Sequence, residues 1–203
     1  MARLFSIRPT MSLKGRRFQG IRGFTGKPFH PPLTDFPVVC FSLAALFDVI
    51  SFASGSDDPK AQDFFAAATF VMVAGFIVSL GAVTTGFWDW WKGIPRDRRS
   101  GPIGRAKHTQ VWRTINWHAT VMVTATVLTF VDLLLRIPSF EEAQTQPAWL
   151  VLSVLAGLLV VFGAAYGGTL VFEYGFNVEN VDEVWNESEE DHVRPDRRTR
   201  SAP

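Results

Sequence analysis

Several things are scarce in this sequence of 203 residues, and each scarcity excludes something. There is one cysteine, Cys40, so no disulfide closes within the chain and no CxxC pair exists to hold a metal or a redox couple. Cys40 lies in an apolar run and reads as a small buried hydrophobe. Net charge is only +1, which excludes a strongly basic nucleic-acid binder. No Gly-x-Ser-x-Gly elbow and no His-Glu-x-x-His helix is present, so hydrolase chemistry is disfavoured. Acids are missing altogether from residues 1–32, and charge of either sign is missing from Phe64 to Trp88 and from Trp149 to Phe172.

What is present falls into blocks. Apolar residues make up 47% of the chain, close to an ordinary soluble protein, so their distribution matters more than their total. A helix rises about 1.5 Å per residue and the hydrocarbon core is about 30 Å thick, so roughly 20 apolar residues are needed to cross. Four stretches qualify, at about 33–54, 64–90, 113–135 and 149–172. The second is free of charge up to Trp88 and the fourth throughout, whereas the first carries Asp35 and Asp48 and the third carries Asn116, His118 and Asp132. A soluble bundle would show polar faces at a 3.6-residue period, and the second and fourth stretches show none. The expected fold is all-α, a polytopic membrane four-helix bundle. A basic arm (1–32) precedes it, and a charged, partly disordered tail (173–203) follows.

Orientation follows from Lys and Arg. The arm holds seven, the segment 89–113 holds seven, and the two remaining loops hold one each, Lys60 and Arg136. Loops rich in Lys and Arg stay cytoplasmic, so both termini are expected in the cytoplasm of a multi-pass protein of the bacterial inner membrane. Trp88, Trp90, Trp91, Trp112 and Trp117 mark that boundary, and Trp149 marks the other. The arm reads as a lipid-touching segment rather than a targeting peptide, because the apolar run after it is too long for a signal sequence. Met11 is a second candidate start.

Small residues four apart let helices approach closely. Gly163 and Gly167 form a GxxxG, Ala164 and Gly168 repeat it one position on, and the second span offers Gly75 with Ser79 and Ala82 with Gly86. The partner is either a neighbouring span, a second copy in a homo-oligomer, or a larger membrane complex.

The run Pro28-Phe29-His30-Pro31-Pro32-Leu33-Thr34-Asp35-Phe36-Pro37, followed by Leu46-Phe47-Asp48, resembles the opening of a bacterial membrane-protein family known as domain of unknown function 2231. The likeness continues through Gly86-Phe87-Trp88-Asp89-Trp90, Ala106-Lys107-His108 and Asn116, and ends with Tyr166-Gly167-Gly168-Thr169-Leu170 running on to Val178. It covers roughly 28–178. Many members of that family carry a second His where this chain has Asp35. The resemblance implies the four-span fold and its topology, and brings no activity with it.

Polar residues near the cytoplasmic ends of the first three spans are the candidate site. His30, Asp35, Asp89 and His108 are a possible divalent-metal set, since imidazole and carboxylate are ordinary ligands for zinc or iron. The structural alternative is that Asp35 caps the first helix, His30 sits at the interface and Asp89 pairs with a nearby cation. For haem b, His30 with His108 is the better pair. If the third span begins near His108, His118 lies about 15 Å deeper with no second His at its level, and a hydrogen bond to a threonine or a neighbouring carbonyl is its plainer role. Asp48, Asp132 and Arg136 fall toward the outer end, either as an ion network or as steps in a proton path with His118.

The reading is therefore a redox-linked or accessory membrane component binding haem or metal near the cytoplasmic face, with the lipid bilayer as its surroundings and no nucleic acid as partner. The alternatives are a non-catalytic scaffold or anchor and, weakest, a small ion or proton transporter, for which no paired broken helices or inverted repeat are seen. Reporter fusions within 89–113 are expected to report the cytoplasm, and alkaline carbonate is expected to leave the chain in the membrane. An external signal from that segment overturns the topology.

Overall fold

The computed structural model describes residues 28–93 and 110–177. The arm up to residue 27, the segment 94–109 with His108, and the tail from residue 178 lie outside the described residues. Four helices run in order: α1, His30–Ser54; α2, Pro59–Gly93; α3, Gln110–Arg136; and α4, Pro147–Phe172, with a short 3₁₀ turn, Ile137–Ser139, after α3. Each is long and apolar enough to cross a membrane. Helices are what such segments must form, because lipid offers nothing to hydrogen-bond a bare backbone. The chain is an all-α, polytopic four-helix bundle.

Helix ends follow local chemistry. Pro31 and Pro32 sit in the first turn of α1, where a missing N–H costs nothing, so the helix starts at His30 rather than at Leu33. Gly55 ends it with φ 78°, a left-handed value glycine adopts freely. The side chain of Asp58 then accepts the Lys60 amide at 2.9 Å and caps α2. Asp35 does not cap α1; it lies in the second turn and is exposed.

The helices form a ring in which α1 touches α2 and α4, and α3 touches the same two, so α1 and α3 are diagonal. The middle of the bundle is apolar. Cys40, Phe41, Ala125 and Val160 form one buried layer, and Ala44, Met72 and Leu133 the next. Buried hydroxyls in this region bond back to their own helices, as Thr129 does to Ala125 at 2.9 Å and Ser79 to Phe76 at 2.7 Å. Large apolar side chains such as Phe70, Ile77 and Leu158 face outward, as a lipid-contacting surface requires.

Close approach rests on glycine. A Cβ on Gly75 would lie 2.5 Å from the Cβ of Cys40, so α1 and α2 touch there almost backbone to backbone. Gly157 meets Ala45 and the Phe41 carbonyl of α1, and Gly163 meets Met122 of α3. Gly168 meets only Phe172 of its own helix, so it contributes to no interface between the described helices.

At the end where α1 meets α2, the diagonal is closed by ions. Arg136 on α3, Asp48 on α1 and Asp132 on α3 are all fully buried. Arg136 bonds Asp132 through Nε at 3.1 Å and Nη2 at 2.8 Å. It bonds Asp48 through Nη1 at 3.2 Å and Nη2 at 2.8 Å, and Nη1 also reaches the Thr69 hydroxyl at 3.4 Å. Those five bonds use all five guanidinium N–H groups. The Thr145 hydroxyl donates to Asp48 at 2.8 Å, its amide donates to Ser51 at 2.9 Å, and Ser51 donates to the Ala61 carbonyl at 2.7 Å. Phe65 and Trp149, stacked 5.3 Å apart, flank the guanidinium at 5.6 and 6.0 Å. Trp149 is therefore buried against a cation and does not serve as an interfacial anchor.

Removing one partner of such a cluster leaves an unmatched buried charge, whereas removing all of them does not. Arg136→Leu is expected to lower stability by about 3–5 kcal/mol in a denaturant titration in detergent. The triple change Asp48→Leu, Asp132→Leu and Arg136→Met is expected to recover most of that loss. An Arg136→Leu protein as stable as the parent contradicts the role given to the cluster.

Candidate functional site

At the opposite end the diagonal is closed by two imidazoles. His30 is the first residue of α1, yet it does not sit at the bundle's rim. Its Nδ1 donates to the Ala82 carbonyl of α2 at 2.9 Å, with the Thr85 hydroxyl oxygen at 3.3 Å. Ala82 is eleven residues short of the end of α2, so α2 extends about 16 Å past the level of His30. His118 on α3 meets it there, with ring centres 6.3 Å apart and ring planes at 84°. The Nδ1 of His118 donates to the Gly163 carbonyl of α4 at 2.8 Å.

The expected pairing of His30 with His108 falls on a residue outside the described residues. His118 is not alone at its depth, because α1 starts three residues early at the prolines and its first residue meets the His118 ring. The plainer expectation for His118, a bond to a neighbouring helix's carbonyl, matches what is seen.

The carbonyl partners fix the chemistry of both rings. A carbonyl oxygen only accepts, so each Nδ1 carries its hydrogen, and in the neutral ring Nε2 keeps the lone pair. Histidines that ligate a metal characteristically have this arrangement, with the other ring nitrogen tied to a carbonyl or carboxylate. Gly86 and Gly167 make the room. A Cβ on Gly86 would lie 2.6 Å from Cε1 of His30, and one on Gly167 would lie 3.2 Å from Cε1 of His118. Two glycines read from the sequence as helix-packing positions therefore pack against the imidazoles themselves.

The remaining candidates divide. Asp89 is buried on α2, one turn beyond Thr85 and Gly86. Asn116 joins α3 to α2, accepting the Trp90 indole N–H at 3.3 Å while donating to the Trp112 carbonyl at 2.6 Å. Asp35 is exposed and His108 lies outside the described residues. Among the described residues no group of three His, Cys, Asp or Glu is placed to hold a metal ion. Asp48 and Asp132 belong to the ion cluster at the far end, about 21 Å along α3 from His118. The apolar layers of Phe41, Met72 and Val160 lie between the two polar ends.

A family model described as "Predicted membrane protein (DUF2231)" matches residues 26–180. The chain belongs to this family. The match takes in all four helices of this DUF2231 chain, including His30, His118 and the ion cluster. No curated protein and no solved structure matches the sequence.

Sequence reasoning missed the Ala82 and Gly163 carbonyls, Thr85, Thr69, Ser51 and Thr145. Backbone acceptors leave no trace in a sequence, and the hydroxyls look like ordinary helix residues. Because the His30 ring is held by its Nδ1 bond, it cannot swing clear of an added methyl. Gly86→Ala is expected to destabilise the DUF2231 chain by about 1–3 kcal/mol through overpacking, while Gly168→Ala is expected to change little. Unfolding in detergent measures both, and equal effects contradict the fit of His30 against Gly86.

Proposed function

We propose that this DUF2231 chain is a redox-linked or accessory component of the cell membrane that holds a metal-centred group on His30 and His118 near the cytoplasmic face. One observation carries the reading: two imidazoles from diagonal helices lie 6.3 Å apart with both Nδ1 atoms committed to backbone carbonyls. Each ring therefore offers Nε2, the atom a metal takes. The cytoplasmic assignment comes from the Lys and Arg asymmetry, seven in 89–113 against one in each outer loop. Such a group reached from one face suits an accessory role beside a larger redox complex. A single site does not carry an electron across the bilayer, and the apolar middle layers offer no second one.

The competing reading, a scaffold or anchor, uses the same bundle without any bound group. Transport is disfavoured, because a proton moving between His118 and Asp48 or Asp132 would cross layers that hold no carboxylate or imidazole among the described residues. Protein purified in mild detergent is expected to carry a near-stoichiometric transition metal, by elemental analysis, that His30→Ala and His118→Ala each remove. A metal-free protein with native helix content supports the scaffold instead.

A further inference from the structure

We infer that the group held by His30 and His118 is haem, bound with the two imidazoles on opposite sides of one iron. This rests on the metal-centred reading above and narrows it. The first ground is the number of donors. A bare zinc or iron site draws at least three protein ligands, and among the described residues no third His, Cys, Asp or Glu joins the pair. Haem iron takes four nitrogens from its own macrocycle and needs only one or two side chains from the protein.

The second ground is distance. An imidazole nitrogen sits about 2 Å from the metal it binds, so two trans ligands have nitrogens about 4 Å apart. Adding the half-width of each ring puts their centres at about 6 Å, and the structure has 6.3 Å. Ring planes crossed at 84° suit two axial ligands turned at right angles about the iron.

The third ground is the layer in which the rings lie. Gly86 on α2 and Gly167 on α4 lie directly against the two rings, and the Ala82 and Gly163 carbonyls hold their Nδ1 atoms, so both rings are backed by small residues and fixed in orientation. The two rings come from diagonal helices and are backed by the other two. Among the described residues α2 and α3 make the sparsest contact of the neighbouring pairs, and their seam is the side on which a macrocycle edge would lie. The Trp90 to Asn116 bond crosses that seam.

The test uses the full chain in detergent, stripped of bound metal and titrated separately with haemin and with zinc. Haemin is expected to bind one to one and give the sharp reduced spectrum of a low-spin, six-coordinate haem. His30→Ala and His118→Ala are each expected to lose that spectrum. Should an alanine variant fail to fold, His118→Met keeps a side chain that binds haem iron and is expected to stay low-spin with a raised potential. Cys40→Ala is expected to behave as the parent. Zinc bound through both histidines with no uptake of haemin overturns haem while leaving the metal-centred reading in place. Binding of neither overturns both, and a low-spin haem indifferent to both histidine changes overturns the assignment of ligands.

Discussion

Lipid makes an unmatched charge so costly that the position of Arg136 dictates the rest of the bundle. Its guanidinium is shared by Asp132 on its own helix and Asp48 across the diagonal, with every N–H used. Sliding α1 by one residue, about 1.5 Å, breaks the two-point contact with Asp48 and leaves a buried carboxylate unpaired. The register of α1 against α3 is thus fixed at one end by ions. Given that register and the lengths of the two helices, His30 arrives opposite His118 at the other end. Between the ends the diagonal helices are separated by apolar layers and by glycines that let neighbouring pairs close up.

The two ends differ in what they leave available. The ion cluster is saturated, since each carboxylate is met by the guanidinium and Asp48 also accepts from Thr145. It has nothing to offer a ligand, and its aromatic walls, Phe65 and Trp149, close it off. At the imidazole end, the hydrogen bonds are spent on orienting the rings and leave one nitrogen of each for something else.

Much of the fold was legible in the sequence, because blocks of charge separate four apolar runs. The association of Asp48 with Arg136 was legible as one of two alternatives, the other being a proton path, and the structure has the ion pair. The imidazole pair was not legible. It depended on where α1 starts, at His30 rather than Leu33, because Pro31 and Pro32 belong in a first turn. An error of three residues there shifts the apparent depth of a side chain by about 4.5 Å, enough to separate two rings that meet. Trp149 misled for a related reason. Tryptophan near a span's end usually marks the interface, but here a cation inside the bundle draws its ring inward.

The account turns on which nitrogen of each imidazole carries the hydrogen, and nitrogen-15 NMR of histidine-labelled protein in lipid reads that directly. With four histidines in the chain, His30→Ala and His118→Ala assign the two signals of interest. Both rings are expected as the Nδ1–H tautomer, with the Nε2 resonance of each moving when a metal or haem is added and the Nδ1 resonance staying hydrogen-bonded. An Nε2–H tautomer in either ring, or Nε2 resonances unmoved by every added group, contradicts it.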